Sequence, residues 1–172
     1  QTGVIEVGGT LNTTGDAISA TGPDNTITNS GTIDANGVFS DGIDSSGAKA
    51  IITNSGTIDA AASGIQSTGA GSIINNSGII TGNDGIVSRG TGATITNSGI
   101  INANGAFSSG IFSNRVNAII TNSGTINAAD DGIDSTGTNA TITNSGTITA
   151  ADSGIQSTGA GSIINNSGHI TG

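Results

Sequence analysis

The tripeptide Asn-Ser-Gly occurs seven times, beginning at Asn29, Asn54, Asn76, Asn97, Asn122, Asn144 and Asn166, so successive copies stand 25, 22, 21, 25, 22 and 22 residues apart. A period this short and regular makes each repeat one supersecondary unit, unable to bury its own apolar face and obliged to stack on its neighbours. The chain is therefore expected to be a solenoid.

Alignment on the Gly of each tripeptide resolves three short Ile-bearing segments per turn. The segment before the Asn, such as Thr26-Ile27-Thr28, repeats its central Ile at Ile52, Ile74, Ile95, Ile120, Ile142 and Ile164, with Ile5 one turn earlier. After the Gly, Thr32-Ile33-Asp34 opens a second column that runs from Leu11 to Ile170, and a Gly-Ile-X-Ser segment supplies a third from Ile18 to Ile155. In each segment the apolar period is two, the apolar residue is β-branched and Gly punctuates the end, which selects strand over helix. Three strands of three to five residues at about 3.3 Å per residue, joined by three turns, use up about one repeat, and successive coils stack at about 4.8 Å. The predicted fold is all-β: a single-stranded parallel β-helix of about seven to eight coils of 21 to 25 residues, expected to be right-handed, forming one domain over residues 1–172.

The repeated Asn then reads as structural. Its side-chain amide both donates and accepts, so a stacked column can bond from coil to coil, and Asn tolerates the left-handed backbone conformation that a tight turn uses. Chemistry needs a site once, whereas Asn29, Asn54, Asn76, Asn97, Asn122, Asn144 and Asn166 occur in every coil. In the first coil Val7 stands in that place.

Composition narrows the function. A low-complexity linker is excluded by the register of the Ile columns, although the chain has 30 Gly and one Pro. Twelve acidic residues against three basic ones give a net charge of -9, the wrong sign for phosphate, so a nucleic-acid partner is not expected. Insertion into a membrane is not expected either, for no window approaches the length of a spanning helix. With no Cys there is neither a disulfide framework nor thiolate chemistry.

Departures from the repeat are where a specific contact is expected. The 25-residue coils carry three extra residues at one corner, in Asn36-Gly37-Val38-Phe39-Ser40-Asp41 and Asn104-Gly105-Ala106-Phe107-Ser108-Ser109. Insertions of this kind form loops on one edge, often the binding edge. Phe39 and Phe107 are expected either to fold back over their sheets as local cover or to offer a lateral or ligand contact. Phe112 occupies an outward position filled elsewhere by Asp44, Gln66, Val87, Asp134 and Gln156, and Arg115 beside it belongs to the least repetitive corner of the chain.

No catalytic residues are expected: the cations Lys49, Arg89 and Arg115 lie on different coils, His169 is the one His, and no nucleophile, base and orienting acid can be assembled. No cofactor is implied. Metal binding is not expected, because aspartates two coils apart stand about 9.6 Å from one another, too far to share a Ca²⁺. Asp41, Asp84 and Asp131 are expected to bond within Asx-type turns instead. Paired threonines such as Thr26/Thr28 and Thr94/Thr96 suggest ice binding, but coils with Ile51 and Ile73 in that column interrupt the array.

The string Thr-Ile-Thr-Asn-Ser-Gly-Thr-Ile, intact at 26–33 and 141–148 and degenerate elsewhere, resembles the repeats of bacterial autotransporter passengers and related β-solenoid surface adhesins. That resemblance implies secretion, exposure on the bacterial cell surface and a non-enzymatic role in adhesion, aggregation or biofilm, with host or matrix glycans as partners. An alternative is a subunit of an extracellular filament: the sequence from Gln1 to Gly172 begins and ends in repeat register with no polar cap, and open strand edges template stacking. Self-association, end-to-end or lateral, is expected on either reading.

Overall fold

The structure, a computed structural model, describes residues 3–172; Gln1, where an open end is expected, lies outside them. It is a β-solenoid of about eight turns with three strands per coil and, among the described residues, no helix. The strands stack into three parallel sheets. Sheet A holds eight strands from Val4–Val7 to Ile163–Asn166, sheet B eight from Thr10–Thr13 to His169–Thr171, and sheet C seven from Ile18–Ala20 to Ile155–Ser157.

Register is the same in every coil, so like residues stack on like. Ile27 pairs with Ile52, Ile33 with Ile58, and Ile43 with Ile65. The three inward columns merge into one continuous core in which Ile27 through Ile148 are completely buried. Apart from Ile18, which begins its column, and Ile33, which stacks on Leu11, each buried Ile meets an Ile above and below, and β-branched side chains stiff at χ1 fill such a column without losing further rotamers.

Small residues allow the coils to approach. A Cβ on Gly56 would stand 2.0 Å from the Gly31 carbonyl oxygen of the coil before, and Gly78, Gly99, Gly124 and Gly146 face the same obstruction at 2.0–2.1 Å. On sheet C the limit comes from across the core, where a Cβ on Gly64 would meet Ile80 Cγ2 at 2.2 Å. The Asn-Ser-Gly turn thus needs Gly for clearance. The left-handed conformation expected of its Asn is not found: positive φ falls at Asp24, Lys49, Asn117 and Asn139, one turn column between sheets C and A, and at Phe39 and Phe107. The ladder asparagines are the last residues of extended strands, such as Thr26–Asn29, which is why their side chains turn inward with the Ile two residues before.

Candidate functional site

The seven asparagines form an unbroken file. Asn29 Nδ2 donates to Asn54 Oδ1 at 2.8 Å, and the relay passes through Asn76, Asn97, Asn122 and Asn144 to Asn166 at 2.7–2.8 Å. Asn29, Asn54, Asn97, Asn122 and Asn144 are completely buried. From Asn54 onward each amide also donates to the carbonyl of its own turn Gly, as Asn76 does to Gly78, whereas Asn29 donates to Thr57 C=O. From Asn29 to Asn144 the column is buried and its amides are engaged within the fold, which holds adjacent coils in register; Asn166, at the end of the file, is exposed.

The corner between sheets B and C works differently. Asp41 C=O accepts from Ala17 N–H in the coil before, at 3.1 Å. The Ser63 N–H in the coil after is thereby left without a main-chain acceptor, and Asp41 Oδ1 takes it at 2.8 Å. Asp84 serves Ser109 and Asp131 serves Ser153 in the same way, at 3.0 and 3.1 Å. The Asx-type turns expected here are therefore replaced by bonds to the next coil, because the carboxylate is needed where the ladder lacks a carbonyl. Asp16 serves the Asp41 N–H in the same way, at 2.9 Å.

The second carboxylate oxygen distinguishes one coil from the others. Gln66 Nε2 donates to Asp41 Oδ2 at 2.8 Å and Gln156 Nε2 to Asp131 Oδ2 at 2.7 Å. Above Asp84 that Gln is replaced by Phe112. The ring instead packs under Arg89, whose guanidinium carbon stands 5.6 Å from the ring centroid, within range of a cation–π contact. Arg89 Nη1 also donates to Gln66 Oε1 at 2.9 Å, so Arg89, Gln66 and Asp41 form one chain of polar contacts.

Around Phe112 the surface sinks into a depression of about 210 Å³, lined by Phe107, Phe112, Arg89, Asp84, Asp131 and Asp134 together with Asp130 and Ser109. Burial raises the Asp84 carboxyl above the ordinary range, against the opposing pull of the Ser109 N–H and the Arg89 charge. Asp134 is raised by burial first, then by Asp131 and Asp130, and its Oδ1 is buried with no hydrogen-bond partner among the described residues. No three of the described His, Cys, Asp or Glu residues are grouped to hold a metal ion.

The candidate contact residues thus divide. Phe107 and Phe112 come together in the depression, whereas Arg115 lies at the corner between sheets C and A, its carbonyl oxygen 2.0 Å from where a Gly137 Cβ would be. Phe39 stands alone at the equivalent insertion three coils away. Neither insert ring covers its sheet: Phe39 is 85% exposed and Phe107 90%. Positive φ, 64° and 65°, at the tips of the inserts turns both rings off the solenoid. At the first insert, Ser40 N–H closes the turn on Gly37 C=O at 3.0 Å and buries Ser40 beneath it. The role of Arg89 was hidden in sequence, because it acts on Gln66 and Phe112, each more than 20 residues away. The coil period itself is the signal that would have found it. Compared with protein-family models, curated proteins and solved structures, the chain matches none.

Proposed function

We propose that the chain is a non-enzymatic extracellular shaft, a β-solenoid displayed on a bacterial surface and acting in adhesion. The observation that supports this most directly is the unbroken register from Asn29 to Asn166: each coil repeats the same Asn bond and the same core, so length is added without changing the core. A catalyst concentrates its distinctive residues at one place, whereas here the polar side chains most deeply committed to the fold recur in every coil. The resemblance of the repeat string to those of autotransporter passengers supports secretion and surface display.

Adhesion to host or matrix glycans is assigned to the depression at Phe107 and Phe112. Aromatic rings beside carboxylates and a guanidinium combine apolar faces with acceptors and donors, which suits neutral polyols. The test is binding of the purified chain to a glycan array, with Phe107→Ala and Phe112→Ala compared with the parent. Selective binding that both substitutions weaken at least tenfold is expected. Equal binding by parent and variants removes the depression from the reading, and a chain that binds no glycan and leaves coated beads inert removes the adhesive role.

A further inference from the structure

Charge is distributed very unevenly over the three outer faces. Sheet A presents two outward columns, one from Val4 through Thr26, Ile51, Ile73, Thr94, Ile119 and Thr141 to Ile163, the other from Glu6 through Thr28, Thr53, Asn75, Thr96, Thr121 and Thr143 to Asn165. Of the twelve acids in the chain, Glu6 alone lies on this face. The others stand on sheets B and C and at the corners, for example Asp34, Asp44, Asp84 and Asp131. From Thr26 onward the outward columns of sheet A are uncharged and made of β-branched residues and Asn. Within them Ile51, Ile73, Ile119 and Ile163 remain 41, 39, 49 and 56% exposed.

We infer that the outer face of sheet A is a lateral contact surface between copies of this chain. This inference rests on the adhesive role proposed above and names one partner for it. The occupant follows from charge. Two molecules of net charge -9 repel wherever acids face acids, and the face without charge is where they can meet. A cationic partner would instead be drawn to the acidic corner between sheets B and C. Seven strands at about 4.8 Å and four residues at about 3.3 Å span roughly 450 Å² per copy, or about 900 Å² for a pair. Specific stable interfaces bury about 1,200–2,000 Å², so one pair is weak. Many copies side by side on a surface add their contacts, and avidity then reaches well beyond the affinity of one pair. The pairing is isologous, the same face on both molecules.

The test uses beads coated with the full chain, with clustering followed by light scattering as salt rises from about 0.01 to 0.15 M. Parent beads are expected to cluster, and more strongly with salt, because salt screens the repulsion and leaves the uncharged contact intact. Ile73→Glu with Ile119→Glu should reduce clustering at least tenfold. Thr57→Glu with Thr125→Glu, which adds the same charge at the same strand position on sheet B, should leave it within about twofold of the parent. Circular dichroism establishes that both variants keep their β content, and Ile73→Val with Ile119→Val should cluster like the parent. Equal loss in the two Glu pairs, no loss in either, or clustering that weakens with salt overturns the inference. Dispersed parent beads that still bind glycan overturn it while leaving the adhesive role standing. Inhibition of ice recrystallisation lost with Ile73→Glu and Ile119→Glu, in beads that never cluster, would assign the face to ice instead.

Discussion

Two buried polar columns run through the core, and they have opposite energetic signs. In the Asn file each amide finds partners, so truncating one member leaves a donor and an acceptor on its neighbours buried and unpaired, at about 1–3 kcal/mol each. Asn97→Ala, which takes the partner from one N–H of the Asn76 amide and from the Asn122 side-chain carbonyl while Asn76 keeps its bond to Gly78, is expected to cost about 3 kcal/mol. The other column is Ser45, Ser67, Ser88, Ser113 and Ser135, completely buried, with hydroxyls that have no partner among the described residues. Ala20 takes the same position in the first coil, paired with Ser45. Ser88→Ala removes an unpaired hydroxyl and creates no cavity of note, so it is expected to be neutral or stabilising by up to about 1 kcal/mol. Thermal unfolding of the two variants beside the parent checks the contrast, and a loss in Ser88→Ala would mean that the hydroxyl is satisfied in solution.

Strands and corners differ in how far they could be read from sequence. The strands were legible because one Ile per segment, repeated at the coil period, leaves a single way to turn each face inward. The corners were not, since their bonds depend on which main-chain groups the neighbouring coil leaves free: nothing local to Asp41 shows that its carboxylate serves Ser63. The inserts leave two readings open in sequence for a related reason, as an apolar ring suggests cover until the turn beneath it is known to aim it outward. At Phe107 the left-handed backbone of an L-residue costs about 1–2 kcal/mol, which Gly avoids at an unfolded-state cost of about 0.5–1 kcal/mol. Phe107→Gly is therefore expected to raise stability by about 0.5–1 kcal/mol in chemical denaturation while weakening glycan binding. A drop in stability would show that the ring supports the fold.

For the whole molecule the dominant electrostatic fact is carboxylate crowding with few counter-charges. Asp41, Asp44, Asp84 and Asp134 all hold their protons above the ordinary 3.8, chiefly because burial disfavours the ionised form. Across that window the folded chain binds more protons than the unfolded chain, so stability is greatest below about pH 4 and falls as pH rises through the folded values. Self-repulsion at net charge -9 acts in the same direction. A melting temperature higher at pH 4 than at pH 7 is expected, and a rise toward neutrality would contradict it. The coil period has a further consequence in time. The side-chain bonds between coils join residues only 21–28 apart, however long the solenoid becomes. Such a chain can fold coil by coil as it emerges from a pore or a ribosome, each new turn templated by the one already formed, without waiting for a distant segment to arrive.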